Sequence, residues 1–156
     1  MRKEAQELQS SLGKIAYLLH QTEEQAVKEW FPRYLDKKVA LTVAECHSLD
    51  FIEKAPGING TILAESLKIT RGGMSKILAK LQAKGWILVE TSEKNKKERY
   101  YYLTEDGKKI SRAHQKIHDK LQAQILKIFE KRSLEEQKQI NRFLAELSEA
   151  LILKDE

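Results

Sequence analysis

TILAESLKITRGGMSKILAKLQAKGWILVETSEKNKKERYYYL, residues 61–103, changes its periodicity part-way along. Up to Leu81 the apolar residues recur at helical spacing. Gly85 interrupts that pattern, and the segments around Ile87 to Val89 and Tyr100 to Leu103 read as short strands. The stretch predicts two short helices, about 61–67 and 71–84, followed by a two-stranded ribbon with a basic tip. Such a unit suits insertion of a helix into a DNA major groove with a flanking wing beside it.

Outward from this unit, residues 4 to 30 carry a long helical pattern that Pro32 ends or bends. Thr42 followed by Glu45 is a capping box that opens a helix running to about Glu53. Ala55 to Gly60 reads as a turn, and Thr70 is placed to N-cap the second short helix. Thr104 begins a long helix towards Phe129. Ser133 with Glu136 forms another capping box, for a last helix reaching about Ile152. The expected fold is mainly α with a small β wing: a winged helix-turn-helix with long N- and C-terminal dimerisation helices. Residues 1–40 are read as the N-terminal dimerisation helix and connection. Residues 41–110 form the DNA-binding region, and 111–156 the C-terminal dimerisation helices.

The apolar residues of the terminal helices (among them Leu8, Leu12, Ile15, Phe143, Leu144 and Leu147) exceed what a small winged domain needs for its own core. A homodimer is the economical explanation. Its two-fold symmetry matches a pseudo-palindromic operator in double-stranded DNA. A monomer whose helices fold back over the centre is the alternative.

Composition narrows the class. The chain has 156 residues, one cysteine, and a net charge of +5 from 28 Lys plus Arg against 23 Asp plus Glu. One cysteine excludes an intramolecular disulfide. No apolar run is long enough for a membrane span, and the N-terminus lacks a signal-peptide core, so a cytoplasmic location is expected. Basic residues concentrate in the central unit, at Lys68, Arg71, Lys76, Lys80, Lys84, Lys94, Lys96, Lys97 and Arg99. Only Glu90, Glu93 and Glu98 oppose them there, as phosphate contact requires.

The residues expected at DNA are Thr70, Arg71, Gly72, Gly73, Ser75, Lys76 and Lys80 on the second short helix, with Lys94, Asn95, Lys96 and Lys97 in the wing. Arg71 offers a bidentate fork to guanine, and Ser75 a hydroxyl to a base edge or phosphate. Two adjacent glycines near a helix start cost about 1 kcal/mol each relative to Ala. Close approach of the backbone to DNA would justify them; a loosely wound first turn is the bland alternative. Met74, Ile77, Leu78 and Leu81 should face inwards, and Lys80 and Lys84 also read as solvated lysines.

LTVAECHSLDFI (41–52), TRGGMSKILAKLQAKGWI (70–87) and YYYLTEDGKK (100–109), set between long terminal helices, resemble the MarR family of winged helix-turn-helix regulators. The resemblance implies a dimeric transcription factor, usually a repressor, whose DNA affinity changes with a small ligand, oxidation or a metal. The family's wing carries Asp-Arg-Arg where this chain has Asn95, Lys96 and Lys97, so the wing keeps charge but loses the braced guanidinium fork.

Three of the four histidines are suggestively placed. His114 and His118 stand four apart on one helix, so their rings can share a face, and His47 neighbours Cys46 in the helix before the reader. Three histidines and a carboxylate make a tetrahedral zinc set, although such a pair also occurs on solvated helices. The zinc-responsive branch of the family combines a glutamate at the end of the first helix, a histidine in the second and an H-x-x-x-H pair. The resemblance carries these to Glu29, His47, His114 and His118. EEQKQINRFLAEL (135–147) is also similar to that branch. The branch's second metal site maps to Leu35 and Ala113, where its cysteine and a carboxylate are missing, and to Cys46, where Glu is usual, so that site is absent or rebuilt. Zn2+ or a similar divalent metal is therefore one expected effector. An organic ligand, or oxidation of Cys46, is another. A non-DNA protein-interaction module is a competing class. An enzyme is not expected, since no nucleophile, general base or substrate motif surrounds the histidines.

Overall fold

A computed structural model describes residues 3–29, 31, 40–92 and 98–151. The elements are α1 (Lys3–Glu29), α2 (Val43–Lys54), β1 (Ile58–Asn59), α3 (Gly60–Ser66), α4 (Arg71–Ala83), β2 (Ile87–Thr91), β3 (Arg99–Leu103), α5 (Glu105–Phe129) and α6 (Leu134–Leu151). The chain divides into two units, residues 1–117 and 118–156, with α5 running through the boundary. Among the described residues no helix is long and apolar enough to cross a membrane.

In the first unit, side-chain caps set where the helices begin. The Thr42 hydroxyl accepts from the Glu45 amide while the Glu45 carboxylate accepts from the Thr42 amide, so the capping box before α2 is complete. Thr70 accepts from the Gly73 amide and starts α4. Thr104 accepts from the Gly107 amide and donates to the Gly85 carbonyl, which ties α5 to the end of α4. Gly85, at φ +71°, supplies the left-handed turn that stops α4 at little steric cost.

The sheet is antiparallel in the order β1-β3-β2, with Ile58 opposite Tyr101 and Ile87 opposite Leu103. β1 was read from sequence only as part of a turn. Its two residues are too few to show a period, and it exists because β3 offers a free edge. Tyr101 is the buried member of the tyrosine run, between half-buried Tyr100 and Tyr102. The core joins α1 (Ala26, Val27), α2 (Cys46, Leu49, Ile52), α3 (Leu63), α4 (Met74, Leu78, Leu81) and α5 (Ile110, Ala113, Ile117). Ile77, expected to face inwards, is half-buried at its edge.

The start of α5 lies against the turn between α4 and β2, where residue 107 has no room for a side chain. A Cβ at Gly107 would lie 2.1 Å from the Trp86 carbonyl oxygen. In the second unit, α6 begins at the Ser133–Glu136 capping box, complete in both directions, and no residue of this helix is buried.

Candidate functional site

The reader face is built on α4. Arg71, Gly72, Ser75, Lys76 and Lys80 are exposed, while Met74, Leu78 and Leu81 on the opposite side are buried. The helix is regular from Arg71 onwards, so a loosely wound first turn does not explain the glycines. The two have different roles. A Cβ at Gly73 would come within 3.1 Å of Ile69 and of the Thr70 hydroxyl, whereas one at Gly72 would meet nothing within 4 Å. Gly73 thus belongs to the cap, and Gly72 leaves bare backbone on the outer face. Arg71 lies 3.8 Å from the Glu65 carboxylate, both well exposed, a contact weak enough to give up for a phosphate or base.

Between α4 and β3 lies a cleft of about 510 Å³ whose lining includes Arg71, Ser75, Glu98, Arg99 and Tyr101. Arg99, counted in the sequence only as part of the basic balance, is exposed at the base of the wing and faces this cleft with Arg71. Lys94, Asn95, Lys96 and Lys97 lie outside the described residues, as do Trp30, Pro32, Leu35 and Ile152.

Lys84 differs from the other lysines of this helix. Its ammonium donates to the Ala40 carbonyl at 3.0 Å, sits 3.4 Å from both Glu45 oxygens and lies 4.7 Å over the Trp86 ring. Glu45 is itself buried. Lys84 is therefore a structural clasp that holds the start of α2 to the end of α4 while its residue stays exposed.

Beside the reader, side chains of α1, α2 and α5 converge. One Glu23 oxygen is 2.6 Å from His47 Nε2 and 3.3 Å from His114 Nε2. The two imidazole centroids are 5.3 Å apart. His118 is one turn beyond His114 on the same unbroken helix. One donor atom from each of Glu23, His47, His114 and His118 lies within 4.8 Å of all the others.

The carboxylate in this group is Glu23, not Glu29. Glu23 is set three and four residues before buried Ala26 and Val27, so it shares their inward face. Glu29 is six residues further on, about two-thirds of a turn out of phase. It is exposed and accepts a hydrogen bond from Gln25. The helical phase of α1 could have shown this, because only Glu23 of the two lies on its apolar stripe.

His114 is wholly buried, with its Nδ1 2.6 Å from Asp50 Oδ2, and Ser111 donates to Asp50 Oδ1 at 2.6 Å. Phe31 closes one side, its ring centroid 6.2 Å away. Asp50 was also missed in the sequence, although it stands three residues after His47 and so on the same side of α2.

The donor set fits a tetrahedral divalent ion. Bonds of about 2.0–2.2 Å from three imidazoles and a carboxylate place donors roughly 3.3–3.5 Å apart. One ligand atom from each of the four residues already lies within 4.8 Å of the others, close to that spacing.

Cys46 is fully buried. Burial pushes its thiol well above the ordinary range, and the charges of Asp50, Glu45 and Glu23 add to the shift while Lys84 opposes it. A reactive sensor needs an accessible thiolate, so this environment speaks against the thiol-oxidation reading.

The capped reader helix, the three-stranded wing and the cleft between them define a winged helix-turn-helix protein. Residues 41–98 match the MarR family model. The chain is 33% identical over 130 residues to an uncharacterized HTH-type transcriptional regulator, YhjH of Bacillus subtilis (strain 168), covering 78% of this chain and 74% of that protein. Among solved structures it is similar to Streptococcus pneumoniae FabT in complex with DNA, with a TM-score of 0.78, 26% identity, and 94% and 96% of the two chains covered. It is also similar to Lactococcus lactis ZitR, a zinc-responsive MarR family member, with a TM-score of 0.73, 26% identity, and 94% and 97% covered. The chain belongs to the MarR family of winged helix-turn-helix transcriptional regulators, which are DNA-binding proteins and not enzymes.

Proposed function

We propose that this chain is a homodimeric repressor whose operator affinity is raised by zinc or a similar divalent ion held by Glu23, His47, His114 and His118. The observation that carries the proposal is the convergence of those four donors within 4.8 Å, one of them on α2, which packs on the reader. The similarity to ZitR, described as zinc-responsive, supports the choice of metal. FabT, solved in complex with DNA, supports the choice of macromolecule.

On DNA, Arg71 would read guanine or hold phosphate, Ser75 would reach a base edge, and Lys76 and Lys80 would supply charge. Gly72 would let the backbone come close. Thr70 would set the helix start, with Gly73 fitting beneath its hydroxyl. Lys94, Asn95, Lys96 and Lys97 would carry the wing tip to the backbone or minor groove.

The apolar row Leu8, Leu12, Ile15 and Leu19 on α1 is exposed in the single chain and recurs at a spacing that suits a partner helix. Exposed Leu134, Phe143, Leu144 and Leu151 on α6 extend the argument. The occupant of these faces would be a second copy, which brings two readers to one pseudo-palindrome.

A bound ion would supply a positively charged cross-link joining α1, α2 and α5. His47 and Glu23 would hold α2 to α1, and α2 packs on α4 through Ser48 and Met74. Fixing α2 would select the separation of the two readers that fits DNA, a shift set by the ion's differential affinity for the two arrangements.

The test is zinc titration of metal-free protein together with binding to a duplex selected from a random pool. Tight zinc uptake that His47→Ala or His114→Ala removes, with a matching fall in duplex affinity, is expected. No zinc uptake at neutral pH would overturn the metal assignment and favour an organic effector.

A further inference from the structure

We infer that Asp50 is the positioning residue for His114: it holds the ring in the tautomer that leaves Nε2 open to the ion and aims Nε2 at the other donors. This deepens the metal reading above and rests on it.

The argument begins with proton inventory. An ionised carboxylate only accepts hydrogen bonds. Asp50 Oδ1 receives the Ser111 hydroxyl at 2.6 Å, and Oδ2 lies 2.6 Å from His114 Nδ1. The proton of that second bond must come from the ring, so Nδ1 carries it and Nε2 is the nitrogen left to face an ion. That nitrogen points into the donor group, 3.3 Å from Glu23 Oε1. A carboxylate on the far nitrogen fixes ring orientation and raises its basicity as a ligand.

The supporting frame is rigid. Asp50, Ser111 and His114 are all buried, and Ser111 stands three residues before His114 on α5, so one turn of helix carries both the ligand and the brace of its positioning residue. Asp50 itself sits on α2, one turn after His47. Helix α2 therefore contributes one ligand directly and orients a second, held on another helix. Displacement of α2 would disturb two of the four donors together. This gives the element that packs on the reader more control over the site than a single ligand would.

The experiment has two arms on the full chain. In the first, nitrogen-resolved NMR of metal-free wild-type protein reads the His114 ring protons. A proton on Nδ1, bonded to Asp50, is expected; a bare Nδ1 overturns the inference. In the second, zinc competition titrations and cobalt(II) absorption spectra compare wild type with Asp50→Asn and Ser111→Ala. Asp50→Asn is expected to weaken zinc binding roughly 10–100-fold and to shift the cobalt bands, with Ser111→Ala giving a smaller change of the same sign. Wild-type affinity and spectrum in a folded Asp50→Asn protein would overturn the positioning role and leave the metal reading standing. Absence of zinc uptake by the wild type would overturn both. If Asp50→Asn fails to fold, Ser111→Ala and the wild-type tautomer decide.

Discussion

Gly107 and Cys46 show how far single residues are constrained by what surrounds them. Adding a methyl group at Gly107 places it against a backbone carbonyl 2.1 Å away, which no rotamer change relieves. Gly107→Ala is expected to lower stability by about 1–3 kcal/mol, the usual range for overpacking, read as a drop in the denaturation midpoint. Wild-type behaviour would mean that the start of α5 can move away from the Trp86 carbonyl at no cost. Cys46 has a thiol whose folded-state value is raised by burial. Its contribution is fully present below the ordinary thiol value of 9.0. It is lost as pH rises through the folded value, because the unfolded chain ionises first. The stability advantage of wild type over Cys46→Ala should therefore be flat at neutral pH and shrink above about pH 9, by up to roughly 1.4 kcal/mol per unit. Thiol reagents should leave the native protein unmodified, and fast modification would contradict the burial.

At the scale of elements, α4 and its C-cap carry two kinds of lysine that look alike in sequence. Lys76 is exposed on the reader face, whereas Lys84 is bonded to Ala40 and Glu45 and covers Trp86. Lys76→Ala should reduce the slope of log affinity against log salt by about one and leave stability unchanged within roughly 0.5 kcal/mol. Lys84→Ala should do the opposite. It removes the partner of a buried carboxylate, costs about 1–3 kcal/mol, and leaves the salt slope alone. Equal effects of the two on DNA binding would refute the distinction. The capping box before α2 is a second element-scale handle. Thr42→Ala should cost about 1 kcal/mol, seen in thermal melts.

For the whole molecule, the exposed apolar row of α1 sets the expectation. Leu12→Asp with Ile15→Asp should convert the proposed dimer to monomers in sedimentation equilibrium. It should also weaken binding to a palindromic duplex far more than binding to a half-site, because only the dimer engages two half-sites at once. An unchanged dimer would show that α1 does not form the interface.

The legibility of the chain follows the range of the interactions involved. Thr42 with Glu45, Thr70, Thr104, and Ser133 with Glu136 act within one helical turn, so the caps and the order of helix, reader and ribbon were decided by the residues alone. The inward set Met74, Leu78 and Leu81 followed in the same way from local period, as did the pairing of His114 with His118. Other features depended on groups far apart in sequence that only the folded packing brings together. β1 forms because β3 lies beside it. Lys84 becomes a clasp because Ala40, Glu45 and Trp86 meet around it. Glu23 replaces Glu29 because the buried face of α1 is set by what packs against Ala26 and Val27. Asp50 reaches His114 across 64 residues of chain. The caps and the spacing of His114 and His118 were legible in the chain alone because they act within a turn of helix, and the family through the motifs it resembles. Tertiary structure decided which carboxylate joins those histidines and which one aims His114, since helix phase and packing between helices are not properties of any one segment.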